Sequence, residues 1–572
     1  MHGRVTLNGS VIDFEHFFRR EEQGCTYRRA LEALLLELDD AAADLLALEL
    51  REGRAAWLTQ LCASGGRALF AGKASSGTLT ALALQGFTLD VLDLDAQRAR
   101  FAAFRAREQT AGRVTFVQRP TGPYRLVVLE DGLPAQLAPF VELLEPEGEL
   151  VLVADNRLGY KRSLGKKGEF AVPGPFAYAR LALARDSRER TLGGYRRALR
   201  RAGASEVEGF ALYPHRLDFS HVVALESAYP ALTIGPMEQK NRLKLAGKAL
   251  GFFPLLAPSF ALVARRSQGQ KKRIERVLGA LAERLGERTP QVEAIVATRG
   301  NSAVVHTRAG AEWTLHVPLA PKNIPQTERH FRALGEVRAR FPALPVPEPL
   351  FFGTLEGLTF SCERRLPGWS APRDCGIEAR RKRTLMQLAE ILPRLVVRAA
   401  QPLDESTFEA QIAARFRIVI EHAALPATIA ALEQRLSQAR VQLLGKSLPL
   451  VFYHADLRAK HVQVDEQGNV LGIMDWGTAE AEGLPYFDLL QLLVHELKQE
   501  HGFSVGEAWR RVCAREIRNY ERAALERYCA AVGIDAETAT AIEQLFPVLV
   551  AAMAEKNWDY SRPRWLHRQF GI

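Results

Sequence analysis

The spacing of apolar residues changes near residue 267, and this change constrains the fold more than any other feature of the sequence. Before it, from Arg67 on, short apolar runs such as RALFAG, VTFVQ and ELVLVADN alternate with helical stretches. Such alternation is typical of a parallel sheet covered by helices on both faces. After it, the helical stretch RIERVLGALAERLG leads into short strands and, beyond residue 376, into long helical patterns. We therefore expect two unlike halves, preceded by a helical segment at 1–66.

Composition excludes several classes of protein. Of the 572 residues, 47% are hydrophobic and 25% are charged, which excludes a disordered chain or a polytopic membrane protein. The six cysteines include no CxxC pair, so neither a disulfide framework nor a thiolate zinc site is indicated, and a cytoplasmic location is expected. The net charge is +10, but the basic residues are spread along the chain among acids. We therefore expect a solvated basic surface and no nucleic-acid partner.

The most apolar stretch is ALGFFPLLAPSFALVA at 249–264, which contains Pro254 and Pro258. A helix that spans a membrane needs about 20 residues without such breaks. We therefore expect a buried strand here and no integral membrane segment. Peripheral membrane contact is the alternative, because lysines and arginines flank the stretch at both ends.

Two acidic motifs stand close together in the carboxyl-terminal half. The first runs from His454 through Asp456 to His461, and the second is Asp475-Trp-Gly, with the hairpin-like VQVDEQGNVLGI between them. Acids at the ends of such strands lie side by side at one edge of a sheet. Phosphoryl transfer needs this arrangement, with one carboxylate to accept the hydroxyl proton and another to hold magnesium. Turn or capping chemistry is the alternative role for these aspartates.

The paired motif resembles the aminoglycoside phosphotransferase family, protein-kinase-like small-molecule kinases with an HxDxxxxN catalytic loop and a DxG or DxE metal-binding turn. The resemblance covers residue 291 to the end. It implies an α+β two-lobed fold, with a small lobe at 291–368 and a helical large lobe at 369–572 that follow a linker helix at 267–290. It also implies ATP and Mg²⁺ or Mn²⁺ as cofactors and a small-molecule substrate.

The resemblance also implies roles for individual residues. Asp456 matches the catalytic aspartate, His454 the residue that braces its loop, and Asp475 the metal-binding aspartate. Asp488 matches a structural aspartate that follows the metal-binding turn. Two further matches belong to the nucleotide site, namely Gly300 in the phosphate-covering turn and Glu363 at the hinge that meets the adenine.

The sequence departs from the family pattern at two positions. His461 stands where the second metal ligand is normally asparagine, and imidazole suits Mn²⁺ or Zn²⁺ better than the hard Mg²⁺. His316 stands where the third small-lobe strand should carry the lysine that reaches the nucleotide phosphates, because Trp313, Leu315 and Val317 share the other face of that strand. Glu328 would be the carboxylate partner of His316, with Glu336 as the alternative.

The amino-terminal half contains a glycine-bearing turn between a strand and a helix. The loop Gly72–Gly77 follows RALFAG, and the next strand, TLDVLDLD, ends in acids. Such a unit lets main-chain amides approach a ligand closely. The order resembles a class I S-adenosylmethionine-dependent methyltransferase over 67–266, which implies a Rossmann-like α/β fold. In that comparison Gly72 and Gly77 form the glycine loop, and Asp93, or else Asp95, binds the ribose.

Two departures weaken the methyltransferase resemblance. Phe70 replaces an acid that usually precedes the glycines, and Lys73 brings positive charge toward a sulfonium ligand. Cofactor binding and a retained fold without activity therefore both stay open.

The sequence thus favours a bacterial-type small-molecule kinase that transfers the γ-phosphate of ATP to a hydroxyl of a sugar or natural product, fused to a methyltransferase-like domain. A methyltransferase with a regulatory kinase-like module is the first alternative. A scaffold of two pseudoenzymes is the second.

Overall fold

The computed structural model describes residues 4–7, 10–61, 65–93, 95–109, 113–130, 137–159, 189–213, 215–217, 219–225, 253–298, 302–371, 378–423, 425–558 and 565–572. The chain divides into two compact units. The first consists of residues 1–232, 239–324 and 353–360, and the second of 233–238, 325–352 and 361–572. The domain boundaries expected from the sequence stay predictions.

The first unit contains most of the strands. They are β1 Arg4–Leu7, β2 Ser10–Asp13, β3 Gly66–Ala71, β4 Phe87–Leu92, β5 Val114–Phe116, β6 Tyr124–Leu129, β7 Leu144–Asp155, β8 Glu206–Tyr213, β9 His221–Ala224, β10 Ser259–Arg265, β11 Gln291–Ala297, β12 Ser302–Arg308 and β13 Trp313–Pro318. The hairpin β14 Pro349–Leu355 and β15 Leu358–Arg364 has residues in both units.

The helices of the first unit are α1 Glu15–Glu22, α2 Tyr27–Glu37, α3 Asp40–Leu50, α4 Gly77–Leu84, α5 Ala96–Gln109, α6 Ala138–Glu142, α7 Leu192–Arg201, α8 Phe253–Leu256 and α9 Arg273–Leu285, with a 3-10 segment at Glu52–Gln60. Helix α9 confirms the expected helix after residue 267. Its residues Ile274, Val277, Leu278 and Leu281 are buried at helical spacing, and it ends at Gly286, whose φ of +67° suits glycine.

Strands β3 to β7 form the parallel sheet that the sequence predicts. Their spatial order is β5-β4-β3-β6-β7, and all four neighbouring pairs are parallel. Strand β10, the expected buried strand, is antiparallel between β7 and β8. From β3 the chain continues to β4 and β5 toward one edge of the sheet, whereas from β6 it continues to β7 in the opposite direction. In open α/β sheets, ligands bind at the carboxyl ends of two neighbouring strands at which the strand order reverses in this way.

The same sheet continues into the strands that the sequence assigns to the kinase-like half. Strand β9 pairs antiparallel with β8 on one side and with β11 on the other, where Val222 lies opposite Ile295 and His221 opposite Val296. Strands β12 and β13 follow as antiparallel neighbours. The parallel sheet and β11–β13 are therefore one continuous sheet within the first unit.

The second unit is mainly helical. Its helices are α10 Ile324–Arg340, α11 Glu378–Ile391, α12 Glu405–Phe408, α13 Ala414–His422, α14 Pro426–Leu443, α15 Phe487–His501, α16 Val505–Cys513, α17 Asn519–Val532, α18 Ala536–Trp558 and α19 Trp565–Phe570. Its further strands are β16 Trp369–Ser370, β17 Val396–Pro402, β18 Ser447–Tyr453, β19 Val462–Val464, β20 Val470–Ile473 and β21 Glu480–Gly483. Among the described residues, no helix combines the length and the apolar character needed to cross a membrane.

Helix α15 lies in the core of the second unit. Leu489, Leu490 and Leu493 are fully buried, which is typical of a helix surrounded by protein. Asp488 and Gln491 are also buried although they are polar. They are three residues apart and therefore share one face of the helix, which lies against the loop after β18.

Candidate active site

The loop from His454 to His461 connects β18 to the antiparallel hairpin β19–β20 that the sequence predicts. His454 is fully buried. Its Nε2 donates to the carbonyl oxygen of Met474 at 2.9 Å, and its Nδ1 accepts from the amide of Asp456 at 3.3 Å. This pair of bonds is satisfied by a neutral imidazole with its proton on Nε2. His454 therefore ties the loop to the residue that precedes Asp475.

Asp488 holds the same loop from helix α15. Its two carboxylate oxygens accept the backbone amides of His454 at 2.8 Å and Ala455 at 2.9 Å. Ala455 has φ of +66°, a left-handed conformation that costs a non-glycine residue about 1–2 kcal/mol. Burial raises the pKa of Asp488 to about 6, although His454 and the two amide bonds act in the opposite direction. The loop conformation thus depends on this carboxylate.

Asp456 is buried, with 5% of its surface exposed. Its Oδ1 accepts from Nε2 of Gln491 at 3.0 Å and lies 2.6 Å from a guanidinium nitrogen of Arg458. Within the described part of the chain, these two contacts of the carboxylate both reach Oδ1. Both of these contacts therefore hold the same oxygen, Oδ1, and turn it toward Gln491 and Arg458.

His461 lies between the two aspartates. Its Nδ1 donates to the backbone carbonyl oxygen of Asp456 at 2.7 Å, and its Nε2 lies 3.1 Å from Oδ2 of Asp475. With its proton on Nδ1, neutral His461 turns a lone pair toward this carboxylate. Burial is the main reason that the pKa of His461 is lowered, so the neutral form is favoured. A lone pair and a carboxylate oxygen that face each other form a ligand pair suited to a cation.

Asp475 follows β20 in a left-handed turn, with φ of +64°. Half of its side chain is exposed, unlike the buried Asp456. Burial acts to raise the pKa of Asp475, but the facing His461 in its protonated form, together with the nearby Lys460 and His330, outweighs it, so this pKa lies well below its usual range. Asp475 is thus an ionised carboxylate open to solvent.

A buried histidine–carboxylate pair lies beside this turn. Nε2 of His330, on α10, is 2.7 Å from Oε2 of Glu363, and both side chains are almost fully buried. A Cβ added to Gly477 would lie 3.6 Å from Cβ of His330, so His330 packs against the turn that contains Asp475 and Gly477. Glu363, expected at the nucleotide hinge, is therefore engaged through its side chain.

The other residues predicted to contact the nucleotide lie on helix α10, on strand β13 and outside the described residues. Glu328 forms an ion pair with Arg332 on the partly exposed side of α10, whereas the buried face carries Thr327, His330 and Leu334. His316 is half-buried on β13, in register with Val304 of β12. The neighbouring Trp313, Leu315 and Val317 are fully buried, as their alternation predicts. Gly300 lies outside the described residues.

In the amino-terminal half, the predicted cofactor residues contact other parts of the same chain. Asp93 accepts the amide of Ala74 at 2.8 Å and two hydrogen bonds from Arg98, each of 2.8 Å. Burial acts to raise the pKa of Asp93, but the contacts with Arg98 and the amides lower it overall. Asp95 accepts the amides of Gln97 and Arg98 at the start of α5. The acid expected on a ribose is thus already paired.

The crevice at the carboxyl ends of β3 and β6 is filled by residues that precede the sheet. Arg54 is buried and lies 3.0 Å from Glu49 and 2.9 Å from Glu130, the residue after β6. Glu130 also accepts from the hydroxyl of Thr78 at 2.8 Å. A Cβ added to Gly77 would lie 2.1 Å from the carbonyl oxygen of Arg51. The second glycine of the loop therefore makes room for the protein's own backbone.

One family model matches the carboxyl-terminal part of the chain. Residues 260–530, which include both acidic motifs, match the model of the phosphotransferase enzyme family, APH. This region is a phosphotransferase-family region. The match supports the kinase-like fold expected for the carboxyl-terminal half, whereas the methyltransferase resemblance of the amino-terminal half is not shown. No match was found among the curated proteins.

Several solved structures are similar to part of the chain. An aminoglycoside phosphotransferase from Streptomyces rimosus, in complex with ADP and streptomycin, is 17% identical, with 48% of this chain and 97% of that chain covered and a TM-score of 0.32. A macrolide 2'-phosphotransferase type I is 16% identical, with 52% and 96% covered and a TM-score of 0.34. A GDP and kanamycin complex of an aminoglycoside 2''-phosphotransferase is 16% identical, with 47% and 87% covered and a TM-score of 0.31.

Three residues of this site, Gln491, Arg458 and His330, are not among those predicted from the sequence. Gln491 follows Asp488 by three positions in a helix, a spacing that already places both on one face. Arg458 follows Asp456 by two positions in the motif. His330 shares helical spacing with the apolar Leu334 and Val337. All three signals were present, but spacing alone does not tell which polar residue is buried.

Proposed function

We propose that the carboxyl-terminal half transfers the γ-phosphate of ATP to a hydroxyl group of a small molecule such as a sugar, an aminocyclitol or a natural product. The observation that carries this proposal is the position of His461, which binds the backbone of Asp456 through Nδ1 and faces Asp475 through Nε2. His461 thus connects the loop that carries the buried Asp456 to the solvent-open Asp475, and phosphoryl transfer requires two such carboxylates in different roles.

Asp456 has the role of the base or orienting group in this proposal. The acceptor oxygen forms a bond to the γ-phosphorus while the bond between this phosphorus and ADP breaks, and the proton of the hydroxyl passes to Asp456. Because Gln491 and Arg458 both bind Oδ1, Oδ2 is the oxygen that receives this proton. His454 and Asp488 fix the loop that carries it.

His461 and Asp475 are the proposed metal ligands. Two neighbouring ligands of an octahedral ion with bonds of about 2.1 Å lie about 3.0 Å apart, and Nε2 of His461 is 3.1 Å from Oδ2 of Asp475. When bound, Mg²⁺ or Mn²⁺ supplies positive charge for the oxygens of the transferred phosphate. The imidazole ligand favours Mn²⁺ over Mg²⁺. His316, Gly300, Glu328 and Glu363 stay predicted contacts of the nucleotide.

For the amino-terminal half, we propose a scaffold role without S-adenosylmethionine. Arg54 fills the crevice where such a ligand would bind, and Asp93 is paired with Arg98. The sheet of this half continues through β9 into β11, so its support of the neighbouring strands does not depend on a cofactor. This arrangement speaks against the alternative in which methyl transfer is the main chemistry.

The test is a thermal unfolding titration with ATP and either Mn²⁺ or Mg²⁺. A ligand present at 100 times its Kd stabilises the native state by about 2.7 kcal/mol, so Tm should rise with nucleotide concentration. Asp475→Ala should abolish the metal-dependent part of this rise without unfolding the protein, because the side chain is half exposed. Glu466→Ala, an exposed acid in the same hairpin, is the matched control and should keep the rise. No rise in the unmodified protein with either metal would contradict the proposal.

A further inference from the structure

One face of α15 contacts consecutive residues of the catalytic loop. Asp488 accepts the amides of His454 and Ala455, and Gln491, one turn later, donates to the side chain of Asp456. The first residue therefore sets the backbone of the loop, and the second reaches the carboxylate that the proposed reaction uses. Since both come from one rigid helix, their spacing is fixed relative to each other.

We infer that Gln491 is a positioning residue, which holds Oδ1 of Asp456 and thereby leaves Oδ2 directed at the acceptor hydroxyl. This inference rests on the proposed phosphotransferase function. The torsion that turns a carboxylate about its Cβ–Cγ bond is broad, so the backbone of the loop alone does not determine which oxygen faces the substrate. The donor group of Gln491, 3.0 Å from Oδ1, removes this freedom.

The oxygen of the Gln491 amide group supports this role. Gln491 is fully buried, and its Oε1 has no hydrogen-bond partner among the described residues. A buried carbonyl oxygen without a donor costs stability, and the neighbours Leu489, Leu490 and Leu493 are apolar. A leucine or methionine would avoid this cost at the same place. The residue is therefore explained by what its amide nitrogen does for Asp456 rather than by packing.

The hydrogen-bonding pattern also fixes the orientation of the amide. If the amide were reversed, Oε1 would face a carboxylate oxygen and both atoms would be acceptors. Arg458 belongs to the loop itself, and its side chain is 24% exposed. One of its guanidinium nitrogens lies 2.6 Å from the same Oδ1. Two donors on one oxygen, one from the helix and one from the loop, leave a single orientation of the carboxylate.

The experiment uses the full-length protein and the Gln491→Met variant. Methionine has the same unbranched length but no donor, so packing is nearly kept and the hydrogen bond is lost. Gln463→Met is the matched control, since Gln463 is also buried and its amide nitrogen contacts the sulfur of Met474 at 3.1 Å. The readout is steady-state hydrolysis of ATP with Mn²⁺, with water as the acceptor.

We expect Gln491→Met to lower kcat by about 10- to 100-fold, because misplacement of a reacting group costs up to about 100-fold. The KM for ATP should change less than about twofold, since in the proposed reaction this pair serves the acceptor hydroxyl and not the binding of the nucleotide. In an Asp456→Asn background, Gln491→Met should have almost no further effect, because the group that it positions is gone. Gln463→Met should keep the kcat of the unmodified protein.

Each outcome decides between the two proposals. An unchanged kcat in Gln491→Met, while the unmodified protein hydrolyses ATP, would overturn the positioning role and leave the phosphotransferase function standing. An equal loss in the Asp456→Asn background would also overturn it. If the unmodified protein does not hydrolyse ATP, both proposals fall. Should Gln491→Met not fold, Gln491→Glu keeps the shape and replaces the donor with an acceptor, and it should show the same loss of kcat.

Discussion

Replacement of Gly77 by alanine tests whether the protein's own backbone occupies the crevice above the parallel sheet. The new Cβ would lie 2.1 Å from the carbonyl oxygen of Arg51 and 2.6 Å from that of Leu50, whereas ordinary contacts are longer than about 3.4 Å. Backbone must therefore move by about 1 Å. Overpacking of this kind costs about 1–3 kcal/mol, and the movement also displaces Arg54 from its buried ion pairs with Glu49 and Glu130.

Gly193 offers a matched control, because it also lies in the first turn of a helix, α7. A Cβ added there meets nothing within 4 Å, so Gly193→Ala should stabilise the protein by about 0.5–1 kcal/mol through helix propensity alone. Gly77→Ala gains the same propensity term and should still destabilise the protein by about 2 kcal/mol, since displacement of the ion pairs adds to the overpacking cost.

Hydrogen exchange of the peptides that contain β3 and α4 measures this difference locally. A loss of about 2 kcal/mol corresponds to roughly 30-fold faster exchange at amides whose exchange rate is set by the equilibrium between closed and open states. Gly193→Ala should leave the exchange rates of β3 unchanged. Exchange in Gly77→Ala that is as slow as in the unmodified protein would refute the placement of Leu50 and Arg51 on the glycine loop. The crevice would then be open to a ligand, and the scaffold role would lose its main support.

Two further predictions concern the second unit. His461→Asn should shift the relative activity from Mn²⁺ toward Mg²⁺, because an amide oxygen suits a hard cation better than an imidazole nitrogen, and an unchanged ratio would remove His461 from the metal site. The pKa of Asp488 is raised to about 6, so its protonated form stabilises the native state below the ordinary pKa, and this stability is lost as the pH rises through 6. The destabilisation caused by Asp488→Asn, measured by urea unfolding, should therefore be about 2 kcal/mol larger at pH 4.5 than at pH 7. If the free energy of unfolding fell by the same amount at both pH values, the pKa of Asp488 would not be raised.

Local periodicity was sufficient for most of the elements but not for their long-range pairing. The alternating run at Trp313–Pro318 predicts a strand with one buried face, and the structure confirms it. The pairing of Val222 with Ile295 joins segments that are far apart in sequence, and no local pattern carries that information. The filling of the crevice by Arg54 was missed for the same reason, because Arg54 and Glu130 meet only in the folded sheet.

The sequence predicts contacts between residues of one local motif, but it does not predict in which direction a side chain of a helix points. The hairpin between the two motifs brings His461 next to Asp475, as the sequence predicts. The charge of Glu328 makes it the predicted partner of His316, but the packed face of α10 carries Thr327, Leu334 and Val337, and Glu328 lies outside this face. Gln491 escaped notice because an amide in an apolar helix gives no signal of its own until the partner on the loop is known.

The continuous sheet has a consequence for any attempt to produce the kinase-like half alone. A fragment that begins after residue 267 would lack β9, and β11 would become an edge strand with unpaired amide and carbonyl groups at Ile295 and Val296. Exposed edges of this kind recruit other chains and promote aggregation. Such a fragment should therefore self-associate through β11, even if every residue of its own site is intact. Protein produced for biochemistry should therefore keep the amino-terminal half, because its strand β9 covers that edge.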